Sequence, residues 1–125
     1  MSHYAIYSES GRILRALRLS PSDVEANIGA DDLYMQFDTF PDSTRYYILN
    51  GELVDKLDML GVTVSQSGDV VTVSGLADDT IVIWPDGEST TESGSFSFTC
   101  NVSGDLRFYL DAPKYFSQWV IVHVA

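Results

Sequence analysis

One cysteine, two histidines and seven basic residues in 125 positions limit what this chain can be before any motif is considered. Cys100 alone cannot build an internal disulfide framework, so packing must hold the fold together. His3 and His123 stand at opposite ends, without a second histidine at i+2 or i+4 and without a thiolate cluster. No metal site is expected from them. No apolar run approaches the ~18 to 20 residues of a membrane span. Met-Ser-His-Tyr at the start lacks the basic and apolar regions of a secretory signal. A Gly-rich phosphate loop, a G-x-S-x-G elbow and an H-E-x-x-H pair are missing as well. The expectation is a non-enzymatic protein made in a cytoplasm, with no cofactor and no membrane partner.

Bases are scarce throughout. Residues 1–57 hold nine acids against five bases, and residues 58–125 hold nine against two, for a net charge of -11. A field of that sign disfavours nucleic acid and anionic membrane and favours solubility. Asp78-Asp79 and Asp86-Gly87-Glu88 offer oxygens for calcium, but acids at alternate positions ending in a bidentate Glu are lacking. Those acids read as turn and solvation chemistry. Cys100 continues the series Phe96, Phe98, Cys100 and reads as a buried, inert thiol.

What the chain does have is strand and turn pattern. Tyr46-Tyr47-Ile48-Leu49 and Glu52-Leu53-Val54 flank Asn50-Gly51, the strongest short hairpin signal, because a type I′ turn needs positive φ at both central residues. Tyr4 to Tyr7 predicts a first strand, with Ser8 to Gly11 as its turn. Arg12 to Leu19 is ambiguous: Arg12, Arg15 and Arg18 would share a helical face but alternate sides in a strand. The preceding turn tips the reading toward a strand. Ser20-Pro21-x-Asp23 then predicts a short capped helix, with Val24 and Ile28 on one face and Gly29 at its end. Leu33 to Phe40 predicts another strand, closed by Pro41-Asp42.

The second half alternates. Val62/Val64, Val71/Val73, Phe96/Phe98 and Leu106/Phe108/Leu110 each point one way. Turns are expected at Gln66 to Asp69, Pro85 to Gly87, Glu92 to Gly94, Ser103 to Asp105 and Ala112-Pro113. Thr80 to Trp84 and Trp119 to Val124 are apolar at successive positions, as strands covered on both faces would be. The fold expected is mainly β: a small N-terminal β-hairpin/short-helix module, residues 1–57, followed by an immunoglobulin-like β-sandwich, residues 58–125. Each half falls under about 70 residues, where a single core is marginal. A partner or an oligomer is therefore expected to add burial.

Two sets of residues are candidates for binding. Arg12, Arg15 and Arg18, with Tyr46 and Tyr47, would make a protein-docking patch, since arginine pairs with carboxylates through a planar fork. Pairing of those arginines with nearby surface acids is the plainer account. Tyr115 and Trp119 would be the glycan contacts if the sandwich binds sugar. Core packing is the plainer account for most of the aromatics.

Tyr4 to Tyr7, Gly11-Arg12-Ile13-Leu14-Arg15, Tyr46-Tyr47-Ile48 and Asn50-Gly51-Glu52-Leu53-Val54 are together similar to small proteins encoded among the tail genes of tailed bacteriophages. Val71 to Leu76, Trp84-Pro85-Asp86-Gly87 and Gly104 to Leu110 resemble the immunoglobulin-like modules of phage virions. The resemblance rests on turn and strand pattern and carries over no functional residue. It implies a virion component made in the host cytoplasm, a tail or tail-fibre accessory protein docked on other virion proteins. A capsid decoration protein, a glycan-binding host-attachment module and an acidic inhibitor of a host defence nuclease are the alternatives.

Overall fold

A computed structural model describes residues 2–125. The protein is mainly β, and its chain divides into two compact units, residues 1–57 and 58–125.

The first unit is built on a three-stranded antiparallel sheet with β1 (Ser2–Tyr7) between β2 (Ile13–Leu19) and β3 (Leu33–Phe37). Strand alternation gives β1 two buried faces. Tyr4 and Ile6 on one face pack with Ile28, Leu17, Leu19 and Val24, so the helical segment covers this side. Ala5 on the other face packs with Ile13 and Ile48, under Tyr7, Phe37, Tyr46 and Leu53, so the hairpin of β4 (Tyr46–Leu49) and β5 (Glu52–Asp55) covers that side. Asn50 and Gly51 take φ of 52° and 79°, the geometry a type I′ turn requires. Gly11 has φ +89°, and its α-carbon lies against the Ile48 carbonyl while its own carbonyl accepts from the Ile48 amide at 2.9 Å. No side chain fits there.

Arg12 to Leu19 is extended, with Ile13–Leu19 as the strand. The helical segment departs from its expected caps. It runs as a 3-10 turn, Pro21–Asp23, then one α-turn, α1 (Val24–Asn27). Ser20 makes no side-chain bond to the backbone; its Oγ donates to Asp23 Oδ2 at 2.7 Å, so the two members of the box satisfy each other. Gly29 is not a left-handed cap either. Ile28 has already left the helix at φ -121°, ψ 123°, and the Gly29 amide donates to Asp32 Oδ2 at 2.8 Å.

The second unit is one five-stranded antiparallel sheet: β10 (Gln118–Val124), β9 (Gly104–Asp111), β7 (Val70–Ile83) and β6 (Thr63–Ser67) in that order, with β8 (Ser89–Thr99) also on β7. Two expected features change here. Thr80 to Ile83 is not a separate strand but the end of the 14-residue β7, with Trp84 just past it, and Glu92 to Gly94 lies within β8 instead of turning. The ladder between β7 and β8 slips at Ser74/Leu76 and again at Leu76/Thr80, with Gly75, Asp79 and Gly94 all at positive φ. Such bulges bend a strand pair without ending it. The buried Thr80 hydroxyl spans the bend by donating to the Ala77 carbonyl at 2.7 Å. Consequently the first part of β7 pairs with β6 and its last part with β9.

Bent over in this way, the sheet closes as a half-barrel on one core. Val71, Val73, Val82, Phe108, Leu110 and Val122 are fully buried within it. Phe108 of β9 meets Phe96 and Phe98 of β8, at centroid distances of 5.5 and 5.3 Å, although β8 and β9 share no ladder. Trp84 closes the cluster at 5.2 Å from Phe108. Trp119 to Val124 is not covered on two sides. It lies in β10, an edge strand, with Val122 and Val124 buried and Trp119, Ile121 and His123 on an open face. Val64 lies opposite the buried Val73 and shares its inner face, but on the edge strand β6 it stays 41% exposed.

Candidate functional site

The three arginines do not form one patch. Arg12 precedes β2 and is half-buried, whereas Arg15 and Arg18 are exposed on β2 opposite Ile6 and His3 of β1. Alternation therefore sends Arg15 to the Tyr4/Ile6 face and Arg18 to the Ala5 face. They flank a sheet edge, since β2 is an outer strand, and Leu14 between them and the turn is 57% exposed.

Tyr46 turns inward onto the Ala5–Ile13–Ile48 cluster, with the Arg45 guanidinium 5.0 Å from its ring centre. Arg45 Nε also donates to Asp55 Oδ1 at 3.2 Å, and that hydrogen bond raises the pKa of the guanidinium. Tyr47, one residue on, is half-buried on the opposite face, beside Val54. At the root of this hairpin, Asp42 Oδ1 accepts from the Thr44 hydroxyl at 2.7 Å and the Thr44 amide at 2.9 Å. The hydroxyl bond, then the amide bond, hold the Asp42 carboxyl below its ordinary pKa. Tyr46 and Asp42 thus serve the hairpin itself.

In the second unit, Tyr115 and Trp119 are separated by role. Tyr115 is half-buried against the core, while Trp119 is 65% exposed. The ring beside Trp119 is Tyr109, its cross-strand partner on β9, with centroids 5.0 Å apart and planes inclined at 56°. The Tyr109 hydroxyl donates to Ser117 Oγ at 2.6 Å, which fixes the phenol in place. Tyr109 was legible by alternation: if Phe108 and Leu110 point inward, Tyr109 must point out. Ile83 of β7 pairs with Tyr109, so Ile83, Tyr109 and Trp119 form one row across three strands. In the next rows Ile121 faces Arg107, and His123 faces Asp105 with Nδ1 and Oδ1 2.6 Å apart.

The other outer face of this unit is chemically different. On β6, β7 and β8 the partners Thr63–Ser74–Ser95, Ser65–Thr72–Ser97 and Ser67–Val70–Thr99 make a grid of nine positions, eight of them hydroxyls and none charged. Thr72 Oγ1 and Ser97 Oγ lie 2.8 Å apart within it.

Cys100 is half-buried with its thiol toward the Val102 carbonyl, and His123 Nδ1 stands against Asp105 Oδ1. Among the described residues, no three His, Cys, Asp or Glu side chains gather as a metal site would need, and no helix is long and apolar enough to cross a membrane. Comparisons with protein-family models, with characterised proteins and with solved structures gave no match.

Proposed function

We propose that this chain is a non-enzymatic structural component of a tailed-phage virion, a tail or tail-fibre accessory protein that docks on other virion proteins through its first unit. The observation that carries the reading is the outer edge of β2, where Leu14 is exposed and Arg15 and Arg18 stand on either side of the strand. An edge strand is a template for adding a partner's strand, and flanking arginines select one that bears carboxylates. Small size supports it too, because docking adds burial that a unit of 57 residues lacks. The second unit is read as an immunoglobulin-like module; its antiparallel strands around one core support that reading, although they belong to a single bent sheet.

Quantitative mass spectrometry of purified particles tests the reading. Copies on the order of three to twelve per particle, as tail symmetry allows, would support a tail position. Hundreds of copies would make this a capsid decoration protein. Absence from the particle would defeat both and favour an acidic inhibitor acting in the host. Replacing Arg15 and Arg18 together by Glu is expected to remove the chain from particles while leaving its fold intact.

A further inference from the structure

We propose that the row of Ile83, Tyr109 and Trp119 is a binding platform for a neutral saccharide, stacked on the two rings. This goes beyond the docking reading and does not depend on it. The platform has the parts such a ligand needs. A pyranose presents a face of C–H bonds, and an aromatic ring attracts those hydrogens with its negative π-face. Trp119 offers most of its surface to solvent, with Tyr109 beside it at a 5.0 Å centroid distance. Both rings stand on paired strands, and the bond to Ser117 holds the phenol, so little ordering is required on binding.

Around the rings stand side chains of both signs: Arg107 diagonal to Trp119, and His123 with Asp105 one row further. A sugar hydroxyl is at once donor and acceptor, and a mixed rim satisfies it where a rim of one sign would not. An anionic saccharide is disfavoured by the net charge of -11.

Size and charge argue against a protein on the same face. A stable interface takes about 800 Å² per partner and roughly 20 to 30 residues a side. Here the apolar side chains on the face are Ile81, Ile83, Tyr109, Trp119 and Ile121, with Asp105, Arg107, Asp111 and His123 among and beyond them. A second copy would also bring its own net charge of -11 to the contact.

The test is titration of the full chain with short, soluble, neutral oligosaccharides of glucose, galactose and mannose, followed by NMR at the two indole N–H groups. Trp84 is the internal control: its indole N–H donates to Thr90 Oγ1 at 2.9 Å and its ring lies among Phe96, Phe98 and Phe108. The Trp119 signal is expected to shift to saturation with at least one of these sugars while the Trp84 signal stays. Trp119→Ala should then weaken binding by about tenfold or more, and Tyr109→Phe by less. A Trp119 signal that no sugar moves would overturn the proposal. So would unchanged affinity in a folded Trp119→Ala chain, or a Trp119→Ala chain left out of particles when the parent binds no sugar, which would make the face a protein contact. Should Trp119→Ala fail to fold, the shift in the parent chain and the affinity of Trp119→Phe decide.

Discussion

The two outer faces of the second unit come from the same alternation of the same sheet, yet they differ in what they leave unsatisfied. The hydroxyls of the grid on β6, the first part of β7 and β8 can hydrogen-bond to water, so a ligand there would exchange one hydrogen bond for another at only a modest net gain. The Ile83–Tyr109–Trp119 row cannot be served that way. Burying part of its apolar surface releases about 25 cal/mol per Å². Exposure alone therefore does not mark a binding surface; exposure of surface that water serves poorly does. Both faces depend on the bend in β7 and β8, because it lets one strand pair carry a hydroxyl face at one end and join the aromatic face at the other.

The largest effect is expected where the faces share their support. Phe108 is buried and in ring contact with Trp84, Phe96 and Phe98. Phe108→Ala should cost about 3 to 5 kcal/mol, enough to unfold so small a unit. Urea unfolding followed by far-UV circular dichroism checks this, and both faces should be lost together.

Next in size come the glycines of the bend, which allow a cleaner contrast. Gly75 and Gly94 both sit at positive φ, +80° and +83°. A Cβ at Gly94 meets nothing, whereas at Gly75 it runs into the Gly61 carbonyl. Gly94→Ala should cost only the left-handed backbone, about 1 to 2 kcal/mol. Gly75→Ala must add a displaced backbone to the same strain. Equal midpoints in urea for the two variants would show that the bend can move away from Gly61.

That bend is also where the sequence was hardest to read. Glu92-Ser93-Gly94 carries the residues of a turn, and a bulge uses the same left-handed glycine; only the pairing of β8 along the whole of β7 separates them. The strands were legible because Val71/Val73, Phe96/Phe98 and Phe108/Leu110 alternate, and the Asn50-Gly51 hairpin because positive φ has few solutions. Trp119 could be picked out, but its partner could not be found by looking nearby in the chain. Tyr115 is four residues away and faces the core, while Tyr109 is ten away and directly across the ladder. The three arginines mislead for a related reason, since a period of three gathers side chains on a helix and scatters them on a strand.

A smaller effect on stability is expected from Trp119→Ala than from any core change, under about 1 kcal/mol, although saccharide binding should fall by about tenfold. A chain that keeps its urea midpoint and loses the sugar would separate support from platform.

The smallest effect should come from the hydroxyl grid. Thr72→Val keeps the β-branch and removes one hydroxyl, and Ser97→Ala removes its partner at 2.8 Å. Both groups lie on the solvent side, where the bond they share competes with water. The double variant should stay within about 0.5 kcal/mol of the parent and bind oligosaccharide with unchanged affinity. If that variant instead lost the sugar as Trp119→Ala is expected to, the ligand would lie on the hydroxyls, where a periodic chain could bridge them in series. The ranking of the two faces would then reverse, with many weak directional bonds outweighing one apolar row.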